Sequence, residues 1–475
     1  MFRFQQTARA SIRSLTHSAA LATQKPSTLL RSFSAVSNAL EPPVLVNKVL
    51  GVRELVLNRP QRLNALNGDM MKIISSKIKS WEDSELANIV VVKGAGRAVS
   101  AGADIRDVVE HLKKGNDQAM FYALKLEYEY LHQIATMKTP FVALMDGITM
   151  GAGGGLCAHG AFRVATENTV FAMPETAIGY FPDVGSSFFL SRLDGHLGTY
   201  LALTGESIKA EDVLFSGIAT HFVPSSRLEA LEARFAELDN ADNEMVNNII
   251  EEFAAEYDPN VRNTLSGEVR KTIDRCFKEH SVEDILAALE KDGSEFALKT
   301  RETLLKRSPL ALKVTLEQMR TGANLGIAQC LKMEYKLMQQ MTKEHDFTEG
   351  VTARLITRTE PKWNPSRLSD ITDASVKARF FDKAPAMTLS FRSNQNFMMS
   401  PSRKYALPSE EDIRRIVTAE VPFSGQLTAS AIEDYFVFER KGKFGVREKV
   451  REVLSRKTAL VNKRNQEQLE WIYNH

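Results

Sequence analysis

Cysteine is scarce in this chain: Cys157, Cys276 and Cys330 are the three thiols in 475 residues, far apart and without a C-x-x-C pair. That excludes a disulfide framework and a zinc-binding cysteine set, and it fits buried thiols in a reducing compartment. No apolar run approaches the roughly 20 residues that cross a bilayer, so no membrane span is expected. An excess of one charge is also missing. The 61 basic and 59 acidic residues leave a net charge of +2, which excludes the whole chain as an electrostatic magnet for nucleic acid. No repeat of roughly twenty to fifty residues is visible, so a solenoid is not expected.

Acid is absent from the start of the chain until Glu41, while Arg3, Arg9, Arg13, Lys25 and Arg31 stand among many serines. Phe2-Arg3-Phe4, Ala8, Ile12 and Leu15 would line one side of a basic amphipathic helix. This is the composition of a mitochondrial targeting segment; a disordered N-terminal arm is the plainer alternative.

What is present from Pro43 onward is alternation. Val52–Leu57 predicts a half-buried strand, broken by Asn58-Arg59-Pro60, and Met70–Trp81 has helical spacing. Ile89–Val92 and Phe141–Met145 read as buried strands, with helices over Ile105–Leu112 and Phe121–Ile134. Phe162–Ala165 and Val170–Ala172 are further strands. Alternating strand and helix give the α/β class. Residues from about Gly195 to Trp363 read as mainly helical, with starts at Ser281 and Ser308-Pro309. Ala384–Pro408 reads as an extended linker, followed by capped helix starts at Ser409 and Ser430. Arg440–His475 holds ten basic and four acidic residues, a local balance of +6, and Val446, Val450, Val453, Leu460 and Val461 predict a basic amphipathic helix within it.

The chemistry concentrates in three segments. Met150–Gly155 reads M-G-A-G-G-G and precedes a helix of small residues, so Gly151 and Ala152 stand where a helix N-terminus offers unpaired N–H groups. Ser100–Ile105, S-A-G-A-D-I, supplies Ala103 as a second backbone donor, and two such donors converging on one oxygen make an oxyanion hole. Glycines that merely permit tight turns are the plainer reading of either loop alone. Glu175 and Asp183 follow, on turns separated by Gly179 and Pro182 and flanked by Ile178, Tyr180 and Phe181. A carboxyl against such surfaces is desolvated, and its pKa rises toward the range useful for proton transfer. His132 and His159 lie in predicted helices among small or apolar residues and read as packing histidines. Glu127-Tyr128-Glu129-Tyr130 looks like an ordinary helix surface.

These residues resemble the crotonase (enoyl-CoA hydratase/isomerase) superfamily, and within it the 3-hydroxyisobutyryl-CoA hydrolases. The likeness rests on L-N-R-P-Q-R-L-N-A-L (Leu57–Leu66), S-A-G-A-D-I, D-G-I-T-M-G-A-G-G-G-L (Asp146–Leu156) and F-A-M-P-E-T-A-I-G-Y-F-P-D-V-G. L-A-L-T-G, G-I-A-T-H-F-V, M-E-Y (Met333–Tyr335), H-D-F-T-E-G-V (His345–Val351) and P-K-W-N-P (Pro361–Pro365) extend it to about Phe381. Hydratases carry a second catalytic glutamate where this chain has Gly155, and the hydrolases instead have the aspartate that here is Asp183.

The resemblance implies a crotonase-like spiral of β-β-α turns with a helical C-terminal region. It divides the chain into a targeting segment (1–40), a catalytic core (43–235), a helical region (236–383) and a linker with a basic helical extension (384–475). It implies Glu175 and Asp183 as catalytic acids, Ala103 and Ala152 as oxyanion donors, and Glu127 and Gly151 as substrate contacts. CoA would lie across Leu63–Leu66 and Ala101–Ile105, with Leu63, Ala65, Ala101, Asp104 and Ile105 on it. The implied activity is hydrolysis of 3-hydroxyisobutyryl-CoA in mitochondrial-matrix valine breakdown, with acyl-CoA as substrate and no cofactor or metal. Glu175 either activates water or attacks to form an anhydride, and Asp183 contacts the 3-hydroxyl group or relays a proton.

Two departures stand out. Ala152 replaces the usual middle glycine, and it would be strained if that position needs a positive φ. Ala103 stands where these hydrolases more often have glycine. The tail beyond about Ala384 is similar to the extension of the fungal mitochondrial member associated with the small mitochondrial ribosomal subunit, through Met387–Arg392, Ser402–Ile413 and Lys441–Val446. That gives the alternative of a ribosomal structural protein, with or without hydrolase activity, whose tail reaches the small subunit and its rRNA. A basic face packed back on the domain is equally open. Because the family motifs end near Phe381, removal of Arg440–His475 is expected to leave the domain folded.

Overall fold

β-branched runs alternating with helix-forming segments produce two main sheets wrapped by helices, with a small third sheet in the tail. The computed structural model describes residues 41–472 except 116, 257, 259, 260, 262, 464 and 465, so the expected targeting segment over 1–40 lies outside the described residues. The strands are β1 (Val44–Val49), β2 (Val52–Leu57), β3 (Ile89–Gly94), β4 (Ala98–Ser100), β5 (Phe141–Met145), β6 (Ile148–Met150), β7 (Phe162–Ala165), β8 (Val170–Ala172), β9 (Ile208–Lys209) and β10 (His221–Phe222). One sheet runs β1-β2-β3-β5-β7-β10 and the other β4-β6-β8-β9. In the first, pairing is parallel from β2 to β10 and antiparallel only at β1–β2. The pairs β3–β4, β5–β6 and β7–β8 each send one strand to each sheet, so the chain advances as the expected spiral.

The run Ile-Val-Val-Val in β3 is apolar on both faces because both faces are covered. Ile89 and Val91 join one hydrophobic cluster with Phe162 and Phe235, while Val90 and Val92 join the main core with Phe141 and Met145. That split follows from the period-2 alternation of side chains along a strand. The helices that position the site are α1 (Gly68–Glu82), α2 (Ile105–Lys113), α3 (Asp117–Thr136) and α4 (Ala152–Ala158). Asn67 caps α1 by accepting from the Met70 N–H at 3.0 Å. The helical region starts where its caps predict, with Ser281 and Ser308 accepting from the N–H groups of Asp284 and Ala311. Helices Pro309–Ala323 and Ile327–Met341 bury most of their residues, the second of them against α3.

The last ninety or so residues depart from the expectations, and the reason is burial. Ala384–Ser400 has neither helix nor strand, but it is pinned rather than free. The Met387 backbone exchanges hydrogen bonds of 2.8 and 2.9 Å with the Gln339 side chain, Phe391 stacks on His132 at 4.0 Å, and Asn396 accepts from the Ala328 N–H at 2.9 Å. The helix expected at Ser430 starts two residues earlier, capped by Thr428, which accepts from the Ala431 N–H.

The basic helix covers only Val446–Lys457. Leu460 and Val461 lie in a hairpin of β11 (Thr458–Lys463) and β12 (Gln466–Trp471), so their apolar character continues as strand. Val446, Val450, Val453 and Leu454 are buried in the same core cluster as Leu156 and Phe181. The cations of this helix meet acids of the body: Lys449 pairs with Asp194 at 2.7 Å and Arg456 with Asp274 at 3.1 Å, and Lys443, just before it, pairs with Glu251 at 2.5 Å. The tail is therefore packed back on the folded body, one of the two readings of its basic face, and this burial runs against the expectation that removing Arg440–His475 leaves the domain folded. Among the described residues no helix is long and apolar enough to cross a membrane.

Candidate active site

The loop after β2 and the loop after β4 are joined by a short parallel bridge between Leu66 and Ala103. The Leu66 N–H donates to the Gly102 carbonyl and the Asp104 N–H to the Leu66 carbonyl, both at 2.8 Å, so the N–H of Ala103 between them faces away from the bridge. Arg59 braces the pair of loops: its guanidinium bonds the Ala65 carbonyl at 2.6 Å and the Asp104 carboxylate at 3.0 Å. Asn64, fully buried, ties the same loop to the carbonyls of Ala95 and Ala98 at 2.9 and 2.7 Å.

The second wall is the turn from β6 into α4. Gly151 is its N-cap at φ 49, ψ −125, a conformation that strongly favours glycine. A Cβ there would also fall 2.7 Å from Oε1 of Glu175. Ala152 is the first helical residue, buried, and not among the residues with positive φ. The strain anticipated for alanine at 152 is thus absent, because the neighbouring Gly151 takes the left-handed turn. The N–H of Ala152 lies in the first turn of α4, where no carbonyl of the helix can reach it.

Ala101, Ala103, Ile105, Glu127, Gly151, Ala152, Glu175 and Asp183 line one cavity of about 320 Å³. Its apolar side is made by Val108, Leu124, Ile178, Tyr180 and Phe347. Leu63, Ala65 and Asp104 are not among its walls; Asp104 is ion-paired with Arg59, which joins the two loops.

Of the three acids in this cavity Glu127 and Glu175 are buried and Asp183 is half-buried, and the loss of solvent around them sets their protonation. Glu175 opens the turn Glu175–Ile178, with its Oε2 buried and without a partner among the described residues. Desolvation, then the charge of Asp183, push its carboxyl well above the ordinary range. Asp183 is raised to about 6 by burial, against the pull of two phenol donors. Tyr128 donates to its Oδ2 at 2.9 Å and Tyr180 to the same oxygen at 3.3 Å. Glu127 is pushed to about 8 by desolvation and then by Asp183, with a weak bond of 3.4 Å from the Tyr130 hydroxyl.

Glu127, Tyr128 and Tyr130 are all buried, so Glu127–Tyr130 is not the plain helix surface that the residues suggested. The signal was there: Glu127 lies three residues after Leu124 and four before Leu131, inside an apolar stripe. The two histidines behave as packing residues. His159 bonds the Val184 carbonyl at 2.8 Å and is held near pKa about 4 by burial, and His132 bonds the Gln395 carbonyl at 2.9 Å.

Gly155 stands on α4 with no room beside it. A Cβ there would lie 2.4 Å from Cγ2 of Val184, the residue after Asp183. The volume that a side chain at 155 would need is filled from the Asp183 turn.

The enoyl-CoA hydratase/isomerase family signature matches residues 52–380. Among named relatives, small ribosomal subunit protein mS47 of Neurospora crassa is 40% identical over 465 residues, covering 92% of this chain and 90% of its own. The mitochondrial 3-hydroxyisobutyryl-CoA hydrolase of Danio rerio is 44% identical over 343 residues, covering 72% of this chain and 88% of its own. A solved structure, a carnitinyl-CoA dehydratase from Mycobacterium thermoresistibile, matches with a TM-score of 0.67 at 34% identity, over 74% of this chain and 99% of that one.

Proposed function

This chain belongs to the enoyl-CoA hydratase/isomerase family, and we propose that within it the protein hydrolyses 3-hydroxyisobutyryl-CoA to 3-hydroxyisobutyrate and CoA in mitochondrial valine breakdown. The observation that carries this reading is the pairing of Glu175 with Asp183 beside the Gly151–Ala152 turn, while position 155 is closed to a second glutamate by Val184.

The thioester carbonyl oxygen would sit between the N–H groups of Ala103 and Ala152, where developing negative charge meets fixed donors. The acyl chain would occupy the apolar wall of Ile178, Tyr180 and Phe347. Burial raises both carboxyls of the pair, Asp183 to about 6 and Glu175 well above its ordinary value, which brings them toward the range where a carboxyl exchanges protons near neutrality. Such a pair supplies an acid and a base in one turnover. In one route Glu175 activates water, whose oxygen adds to the carbonyl carbon, and the carbon–sulfur bond breaks. In the other Glu175 attacks that carbon, the carbon–sulfur bond breaks as the anhydride forms, and water then cleaves the anhydride and restores the Glu175 carboxylate. In either route the CoA thiolate takes up a proton from the carboxyl pair. Asp183 relays that proton or orients the 3-hydroxyl group. CoA is part of the substrate, and the route calls for no separate cofactor. The acid-free residues 1–40 and the mitochondrial name of the Danio rerio hydrolase support a matrix location.

The test is thiol release from 3-hydroxyisobutyryl-CoA by the purified protein, with Glu175→Gln as the control. Release at the same rate by both, or by neither, would sink the reading.

A second reading is supported by coverage. The Neurospora protein aligns with 92% of this chain, whereas the Danio hydrolase aligns with 72%. The likeness to the ribosomal relative thus takes in much of the tail, and association with the small mitochondrial ribosomal subunit is proposed alongside hydrolysis. Co-sedimentation with that subunit at low salt, weakening steeply as salt rises, is the expected result if the contact is to rRNA phosphates. Sedimentation only as free protein at low salt would remove it.

A further inference from the structure

The M-E-Y segment (Met333–Tyr335) has no part in the chemistry above, yet its glutamate is fully buried beneath the catalytic turn. Glu334 projects from helix Ile327–Met341 with both carboxylate oxygens committed to backbone on either side of one short loop. Its Oε2 accepts from the Gly185 N–H at 2.5 Å and its Oε1 from the Ser187 N–H at 2.8 Å. Gln318, from helix Pro309–Ala323, donates to the Pro182 carbonyl at 2.6 Å and reaches Glu334 Oε1 at 3.3 Å. The backbone is therefore held immediately before Asp183 and again two and four residues after it.

The loop needs such restraint. Val184 has φ 53, a left-handed conformation that a β-branched residue adopts only when its surroundings impose it. Gly185 continues the turn at φ 85, and the Val184 carbonyl is tied to His159 at 2.8 Å. These two residues set the direction in which Asp183 leaves the chain. The next residue of the same segment, Tyr335, packs edge-on against Tyr128, whose hydroxyl bonds Asp183, with ring centroids 5.4 Å apart. The two neighbours thus act on the aspartate from its backbone and from its hydrogen-bond donor.

We propose that Glu334 is a positioning residue for hydrolysis: its two carboxyl oxygens clamp the strained 183–187 turn and so aim Asp183 at the substrate. The role needs two acceptor oxygens. A glutamine at this position would turn an NH₂ group toward one of the two N–H donors and release that side of the turn. This inference rests on the hydrolase reading for its kinetic consequence and on the turn alone for its structural one.

The experiment compares the full-length protein with Glu334→Gln and Glu334→Asp, each read by hydrogen–deuterium exchange and by thiol release from 3-hydroxyisobutyryl-CoA. In Glu334→Gln, exchange in the peptide spanning residues 183–190 rises while that around Ala103 and in α4 is unchanged. Its kcat falls about tenfold to a hundredfold with KM held within about twofold, as a misaimed group without lost substrate binding requires. Glu334→Asp, which keeps two acceptor oxygens on a shorter arm, recovers part of the lost kcat; it also serves as the test variant should the glutamine form fail to fold. Unchanged exchange at 183–190, or an unchanged kcat once exchange has risen, overturns the proposal. So does a parallel loss of kcat, KM and thermal stability that the aspartate does not relieve. A wild-type protein that releases no thiol removes the hydrolase reading instead, and the exchange comparison then decides whether Glu334 holds the turn.

Discussion

The Tyr128 hydroxyl donates to Oδ2 of Asp183 at 2.9 Å, and the Tyr180 hydroxyl shares that oxygen at 3.3 Å. These donors favour the carboxylate and restrain the rise that burial imposes, leaving Asp183 at about 6. Tyr128→Phe removes the shorter bond, so Asp183 should hold its proton to a higher pH. The acidic limb of kcat/KM should move upward from about 6, with activity near neutrality reduced more than activity at alkaline pH. A pH–rate profile of the variant that superposes on the wild type would separate Tyr128 from the titration.

Adjacent positions 151 and 152 should respond in opposite ways. Ala152 has no positive φ and supplies only a backbone donor, so Ala152→Gly should keep activity within about twofold and cost at most about 1 kcal/mol of stability. Gly151→Ala places a methyl group 2.7 Å from Glu175 Oε1 and forces alanine to φ 49. Displacing the carboxyl in this way should lower kcat about a hundredfold. Kinetics on the two variants side by side would test the assignment, and equal losses would contradict it.

Glu127 makes folding stability depend on pH with a definite sign. Its carboxyl rises from 4.5 to about 8 in the folded chain, so the fold favours the neutral form. As pH climbs from about 4.5, the unfolded chain loses this proton while the folded chain keeps it, and stability falls until about 8. Glu127→Gln has no such proton. Its stability relative to wild type should grow between those pH values and level off above them. Urea melts at several pH values measure this, and a constant difference would rule the coupling out.

In the tail, Arg456 is the cation to test. Its side chain is 1% exposed and is shared among Asp274, Glu452 and Glu410. Arg456→Ala takes one cation from those acids, of which Asp274 and Glu410 keep Arg270, so the cost should fall below the about 3–5 kcal/mol typical of a buried charge left with no partner. The melting temperature should drop clearly, and deleting residues 440–475 should yield protein that fails to fold or aggregates. A truncated chain with unchanged melting behaviour would show that the Val446–Lys457 helix is dispensable.

How much of this was legible in the sequence follows from how far apart the interacting residues lie. β2, β3, β5, β7 and β8 were readable because each is a short run, alternating in β2 and continuously apolar in β3 and β5, whose signal is local. The Glu175 and Asp183 turns were readable for the same reason, as each is bounded by its own glycine or proline. The donors to Asp183 were not, because Tyr128 stands 55 residues away in a helix buried on several sides. The tail misled most. Its +6 balance counts charges but cannot show that Lys449 and Arg456 meet Asp194 and Asp274 across more than 180 residues of chain. A linker rich in proline, serine and asparagine likewise conceals that Phe391 stacks on His132.

The contact between Gly155 and Val184 also bears on descent. A lineage carrying this pair cannot recover a glutamate at 155 in a single mutational step, because the new Cβ would arrive 2.4 Å from a valine methyl on a turn that aims Asp183. Val184 would have to shrink first, and that change loosens the aspartate before the glutamate exists to replace it. The intermediate would lose the old activity without gaining the new one. The pair thus places a barrier set by one methyl group between the present site and one that carries a glutamate at 155.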